Sequence, residues 1–265
     1  MDRYLELEQQ LKSKSKKAFI PFVTIGDPNK DLSLKIIDLL VELGASALEL
    51  GLPFSDPLAD GPVIQMANIR ALNSHVYTDE AFDIIHAIRE KHPQIPIGLL
   101  SYTNLATGYG VESFFEKLAK IQVDSVLLAD MPIEMMDWIK PHFEKSGVKQ
   151  VLLAPPNADK VTLQEIAKRS QGYIYLVGRS GVTGTELKSN TDLEENINLL
   201  KKYAKVPIYQ GFGISTVGDA KRVLKTPVDG FIIGSALVKI IDKYQSNEIE
   251  LLEKVKEYIS EFVDL

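Results

Sequence analysis

The chain has 265 residues, 45% of them hydrophobic and 25% charged, with a formal net charge of −6 and no cysteine. This is the balance of an ordinary globular protein long enough to bury a large core; its acidity argues against a nucleic-acid partner, which calls for a basic face, and the lack of cysteine excludes disulfides, thiolate nucleophiles and cysteine-held metals. The opening MDRYLELEQQ has no apolar core of a secretory signal, and no apolar run approaches the ~20 residues of a membrane span, so a cytoplasmic protein is expected.

In chain order, Leu5–Lys16 predicts a helix ahead of a first strand at Ala18–Val23. The stretch LSLKIIDLLVEL follows, with Leu34, Ile37, Leu40 and Leu43 close to one helical face. A second strand is expected at Ala47–Leu50. An unusually long segment comes next, carrying the loop LPFSDPLADGP and the helical pattern AFDIIHAIREKH. Further short β-branched runs predict strands at Ile95–Leu100, Ser125–Ala129, Gln150–Leu153, Tyr173–Val177, Pro207–Gln210 and Gly230–Ile233, and Leu237–Leu265 reads as one closing helix. Strands alternating with helices imply a parallel sheet. About eight such units in this length, with no linker or composition break, favour an α/β fold made of a single (β/α)8 TIM barrel with an extra N-terminal helix, one domain over residues 1–265.

A barrel of this kind carries its chemistry on the loops after its strands, with phosphate commonly bound after the seventh and eighth. After the expected seventh strand stands QGFGIS, with Gly211, Gly213 and Ser215; after the eighth stands IGSA, with Gly234 and Ser235. Glycine allows close backbone approach, and amides at a helix start attract an anion. Two such loops in these places point to a phosphorylated substrate, the plainer alternative being turns that end strands. They make no nucleotide motif: GFGIST lacks the third glycine of GxGxxG, and no GxxxxGK[ST] occurs. After the sixth strand, GRSGVTGTELKSN is either a lid, in which Thr183 and Gly184 would close over substrate, or a solvated loop.

Glu49 sits between Leu48 and Leu50 at the end of the second strand. In a barrel mouth, desolvation would disfavour its charged form and make it a usable acid or base near neutral pH; at a wetter strand end it would be an ordinary glutamate. Asp56 and Asp60 follow in DP and DG turns, which account for aspartates without any chemistry. The expected strands end in no lysine, so a Schiff-base aldolase lacks its nucleophile. His75, His86, His92 and His142 are scattered over helices and turns, so a metal aldolase lacks its ligands. Carboxylate acid–base chemistry on a phosphorylated substrate is left.

Seven stretches, PFVTIGDP, ELGLPFSDPLADGP, GLLSYTN, LLADMP, APPNAD, YLVGRSGVTG and QGFGIS, resemble the signatures of the tryptophan synthase alpha subunit family, in register from about residue 17 to residue 240. The resemblance implies a lyase that splits indole-3-glycerol phosphate into indole and glyceraldehyde 3-phosphate. It implies Glu49 as the acid/base at the ring carbon and the glyceryl hydroxyl, and Asp60 as acceptor of the indole N–H. Phe22, Leu100, Leu127, Tyr175, Phe212 and Ile232 would form the indole pocket. Gly184, Gly211, Gly213, Gly234 and Ser235 would surround the phosphate end, and Thr183 would position the catalytic aspartate from the lid. It also implies an α2β2 assembly in which pyridoxal phosphate belongs to the beta subunit, with Pro53–Asp60 and Asp130–Pro132 as contact surfaces, and no metal or cofactor on this chain. Val63 and Ser101 depart from the family's usual threonine and methionine near the site. Met135, Met136 and Trp138 stand in a stretch that is usually more polar, which reads either as an altered surface or, the favoured alternative, as a buried helix face. The same motifs would permit another phosphate-binding barrel lyase or isomerase, an activating subunit with little activity of its own, or a free-standing indole producer.

Overall fold

The computed structural model describes residues 2–178 and 190–265, the side chains of 190–192 excepted. The expected lid, with Thr183 and Gly184, lies outside the described residues. The strands are β1 (Ala18–Thr24), β2 (Leu48–Gly51), β3 (Ile97–Ser101), β4 (Ser125–Leu128), β5 (Lys149–Gln150), β6 (Leu152–Ala154), β7 (Ile174–Val177), β8 (Ile208–Gly211) and β9 (Gly230–Ile233). All pair in parallel, in the order β5-β4-β3-β2-β1-β9-β8-β7-β6. The two ends of that order, β5 and β6, are consecutive pieces of one strand. Val151 between them donates to the Val126 carbonyl at 3.0 Å, so the sheet closes on itself through residues 149–154. The expected barrel is therefore present, its fifth strand interrupted where it turns from one neighbour to the other.

The helices are α1 (Arg3–Ser13), α2 (Lys30–Glu42), α3 (Pro62–Asn73), α4 (Thr78–Lys91), α5 (Thr103–Tyr109), α6 (Val111–Lys120), α7 (Met136–Ser146), α8 (Lys160–Arg169), α9 (Asn190–Tyr203), α10 (Val217–Leu224), α11 (Ser235–Tyr244) and α12 (Glu248–Ser260). The long segment after β2 is long because it holds both α3 and α4. The single closing helix expected over Leu237–Leu265 is instead two. Asn247 breaks it: its side chain accepts from the Glu250 amide and starts α12 afresh, as a good N-cap residue does. The favoured reading of Met135 and Trp138 as part of a buried helix face does not hold. Only Met136 is buried, while Met135 and Trp138 are 53% and 49% exposed.

The period of two along each strand divides the core. One set, including Ile20, Phe22, Leu127, Val151, Tyr173, Tyr175, Tyr209 and Ile232, points into the barrel. The alternate set, including Phe19, Val23, Leu48, Leu50, Leu99, Val126, Ile174 and Phe231, packs outward under the helices. Helix α1 closes the barrel's amino-terminal mouth. Its Tyr4 and Leu7 join the interior set, Tyr4 meets the Ser125 hydroxyl at 2.9 Å, and Glu8 accepts from the Tyr209 hydroxyl at 2.9 Å. Arg3 anchors it from outside by donating to Asp124 at 2.9 Å. Asp124 also accepts from Arg89 at 2.7 Å and from the Ile97 amide at 2.8 Å. With one mouth plugged, the carboxyl ends of the strands are left to carry a site. Among the described residues no helix is long and apolar enough to cross a membrane.

Candidate active site

At that end lies a cavity of about 210 Å³, lined by Phe22, Asp60, Gly61, Pro62, Ile64, Leu100, Tyr175, Phe212, Gly213, Ile214, Ser215, Ile232, Gly234 and Ser235. A dry cavity of ~150 Å³ is known to hold a benzene ring, so this one admits a larger aromatic group. Its walls are strand-borne: Phe22 from β1, Leu100 from β3, Tyr175 from β7 and Ile232 from β9. Phe212 forms the third aromatic edge, its ring 6.0 Å from that of Tyr175 and near perpendicular. It reaches there from a left-handed backbone, φ +66°, followed by Gly213 at φ +75°. A bulky side chain in that region is strained, and the strain sits at the pocket. Gly211 is required by the same packing, because a β-carbon there would collide with the Tyr175 hydroxyl.

The polar end is built by α11. Gly234 precedes it with no side chain to cap it, so the first amides of the helix have no side-chain acceptor from the cap and lie beside the cavity with Ser235. The nearby start of α10 differs, since Thr216 and Asp219 cap one another there. An anion is therefore favoured at α11.

Two carboxyls approach from β2 and the loop after it. Asp60 lines the cavity. Burial pushes its carboxyl up to about 6, opposed by the Tyr102 phenol and the Asn68 amide; the amide donates to Asp60 Oδ2 at 3.3 Å. Glu49 is 1% exposed and does not line the cavity. Its side chain is drawn down into the barrel, where Oε2 accepts from the Tyr173 hydroxyl and Oε1 has no partner among the described residues. Gly98 makes that space: a β-carbon there would sit 2.6 Å from Glu49 Oε2, 3.1 Å from the Tyr4 hydroxyl and 3.2 Å from the Ser125 hydroxyl. Burial pushes Glu49 up to about 7, and the Tyr173 hydrogen bond opposes the rise. Near neutral pH the pair is thus poised with Glu49 able to hold a proton and Asp60 able to be charged.

Of the residues expected at the site, the structure brings together Asp60, Phe22, Leu100, Tyr175, Phe212, Gly213, Ile232, Gly234 and Ser235. Leu127, 1% exposed, and Gly211 stand behind that lining, and Thr183 and Gly184 are outside the described residues. Asp56 is an exposed turn residue bonded to Ser55. Missed from sequence were Ile64 and Ile214, which line the cavity, and Tyr102, Tyr173 and Asn68, which touch or face the two carboxyls. Ile64 and Asn68 lie one turn apart on α3, and nothing in their spacing separates them from ordinary packing. None of the four histidines is buried, and among the described residues no group of three His, Cys, Asp or Glu side chains is placed to hold a metal ion.

Fold and site together define a (β/α)8-barrel enzyme with an apolar, carboxylate-bearing pocket beside an anion-attracting helix start. The sequence profile of the family described as "Tryptophan synthase alpha chain" matches residues 8–265. The tryptophan synthase alpha chain of Sodalis glossinidius (strain morsitans) is 46% identical over 261 residues, covering 98% of this chain and 97% of that protein. The one from Francisella tularensis subsp. tularensis (strain SCHU S4 / Schu 4) is 46% identical over 260 residues, with 98% and 97% covered. Among solved structures, tryptophan synthase subunit alpha from Legionella pneumophila str. Paris superposes with a TM-score of 0.89 at 30% identity, covering 100% of this chain and 98% of that one. A chain of the tryptophan synthase a2b2 complex from Pyrococcus furiosus superposes with a TM-score of 0.83 at 32% identity, with 94% and 98% covered. The chain belongs to the tryptophan synthase alpha chain family.

Proposed function

We propose that this chain is a lyase that cleaves indole-3-glycerol phosphate into indole and glyceraldehyde 3-phosphate. It would act as one domain over residues 1–265 in the cytoplasm, as the alpha subunit of an α2β2 tryptophan synthase. The observation that carries this is Asp60 lining an apolar pocket whose lining also includes the uncapped start of α11, with Glu49 buried outside that lining and burial raising Asp60 to about 6 and Glu49 to about 7.

The pocket takes the indole ring between Phe22, Leu100, Tyr175, Phe212 and Ile232, with Leu127 backing it, and α11 with Gly213, Gly234 and Ser235 takes the phosphate. Protonated Glu49 gives its proton to the ring carbon that bears the glyceryl chain. Aromaticity is broken and a positive charge appears at the ring nitrogen. Asp60, charged and hydrogen-bonded to the ring N–H, stabilises that charge more than it stabilises the neutral substrate, which is the condition for lowering a barrier. The glyceryl hydroxyl next to the ring then returns a proton to the Glu49 carboxylate. The carbon–carbon bond breaks, its electron pair restores the aromatic ring, and an aldehyde is left on the phosphate fragment. One proton enters and one leaves, so Glu49 ends as it began. Acid–base help of this kind is worth ~10²–10⁴-fold. The Glu49 backbone is fixed in β2, so its retracted carboxyl reaches the ring by rotating about its own side chain.

No step calls for a metal or cofactor on this chain; pyridoxal phosphate belongs to the beta subunit. Pro53–Asp60, where Leu58 is 89% exposed, and Asp130–Pro132 supply the face for that partner, and Thr183 and Gly184 the lid. Incubation with indole-3-glycerol phosphate should release indole and glyceraldehyde 3-phosphate one for one. Conversion of triose or pentose phosphates with no indole formed would replace this function with that of another phosphate-binding barrel enzyme.

A further inference from the structure

The loop between β2 and α3 carries Asp60 at its far end and Phe54 near its start, and one buried side chain joins the two. Asn68, 3% exposed on α3, accepts from the Phe54 amide at 3.1 Å through Oδ1. Its Nδ2 donates to the Ile64 carbonyl at 2.9 Å and to Asp60 Oδ2 at 3.3 Å. The orientation of the amide is fixed by chemistry. The Phe54 N–H can only donate and an ionised carboxylate can only accept, so the flipped amide would lose both bonds. A second link runs through the rings. Phe54 packs on Tyr102 with centroids 5.1 Å apart, and the buried Tyr102 hydroxyl, with no other hydrogen-bond partner among the described residues, faces Asp60 closely enough to help hold its carboxyl down. Both polar neighbours of Asp60 therefore rest on Phe54. Between the two lie the exposed residues Ser55, Asp56 and Leu58.

We infer that Asn68 and Phe54 are positioning residues for Asp60: Asn68 holds the carboxylate through one amide hydrogen, and Phe54 sets both that amide and the Tyr102 ring. The inference rests on the function proposed above, in which Asp60 works against the charge on the indole ring. It gives the exposed loop tip a physical route to the site, since a displacement at residues 55–58 reaches Asp60 through the Phe54 amide and the Phe54 ring. Among the described residues, the other titratable groups facing this carboxyl are the Tyr102 and Tyr175 phenols; Glu49 is turned toward Tyr173.

Three full-length variants test it. Asn68→Ala removes the donor, Asn68→Asp is isosteric and keeps the Phe54 acceptor while facing Asp60 with an oxygen, and Phe54→Leu keeps the backbone amide but removes the ring from Tyr102. The readouts are kcat and KM for indole release, the acid limb of kcat/KM against pH, and the titration of the carboxyl ¹³C resonance that Asp60→Asn abolishes. Losing one long charge-assisted hydrogen bond should move the limb and the resonance upward by roughly half a unit to one unit in Asn68→Ala. Asn68→Asp should move them further and Phe54→Leu less, with kcat reduced about tenfold at neutral pH and KM little changed. Should Asn68→Ala not fold, the isosteric Asn68→Asp carries the test. An unmoved limb and resonance, with activity lost only in step with thermal stability, would make both residues merely structural and overturn the inference. If wild type releases indole and Asp60→Asn keeps the same rate and acid limb, the role of Asp60 itself falls, and the inference with it.

Discussion

At the scale of single residues, both carboxyls are governed by burial, and this gives each a sign that can be checked. Folding raises Glu49 from 4.5 to about 7, so the folded state favours the protonated form. That contribution is complete below the unfolded value and is lost as pH rises through the folded one. The shift corresponds to about 3 kcal/mol. Glu49→Gln, which cannot ionise, should therefore gain roughly 2–3 kcal/mol over wild type between pH 5 and pH 9, read by urea unfolding. A gap of equal size at both pH values would mean that no carboxyl with a raised pKa occupies this site. The same two values set the rate profile of the free chain. Indole release should rise as Asp60 ionises through about 6 and fall as Glu49 deprotonates through about 7, a narrow bell. Asp60→Asn should abolish the acid limb, whereas a limb kept in that variant would belong to the substrate phosphate, which also ionises near 6. Glu49 was legible as a carboxyl at a strand end, and Asp60 only through the family resemblance, since a DG turn explains an aspartate by itself. The retraction of Glu49 was not legible. It depends on Gly98 of β3 and Tyr173 at the start of β7 meeting β2, and no local pattern records such a meeting.

At the scale of elements, the short apolar, β-branched runs located every barrel strand to within a residue or two, because a strand buried on both faces is a near-continuous apolar run. Two boundaries went unread for physical reasons. The fifth strand breaks at Val151 because it bonds to β4 on one side and β7 on the other, which only the closed barrel imposes. The closing helix is cut at Asn247, a cap signal hidden in a polar stretch. Helix α1 was legible as an extra helix ahead of the first strand, but its seat in the barrel mouth was not, since Arg3 meets Asp124 across 121 positions of sequence. That seat can be tested. Asp124 holds Arg3 and Arg89 together, and the Arg89 side chain is 3% exposed. Removing one partner of a buried pair leaves an uncompensated charge, so Asp124→Ala should cost ~3–5 kcal/mol in denaturant unfolding. A loss below about 1 kcal/mol, the range of exposed pairs, would mean that the cluster does not anchor α1.

At the scale of the molecule, one mouth of the barrel is plugged by α1 and the other carries the pocket, so the pocket and the proposed partner face share a single end. The exposed Leu58, the Asp130 carboxylate bonded to Thr103 at 2.7 Å, and the exposed Met135 and Trp138 lie on the loops and helix that follow β2 and β4. The departure at Met135 and Trp138 therefore alters a surface, not a core. Family membership covers nearly the whole chain, and the proposed reaction uses residues from seven of the strands or the loops that follow them. The most direct measurement is indole release from indole-3-glycerol phosphate by the purified chain and by Glu49→Gln, each with and without a tryptophan synthase beta subunit. Slow release by wild type that rises sharply with the partner, and none from Glu49→Gln in either condition, is the expected result. Equal release from Glu49→Gln, or no indole from wild type even with the partner, would contradict it.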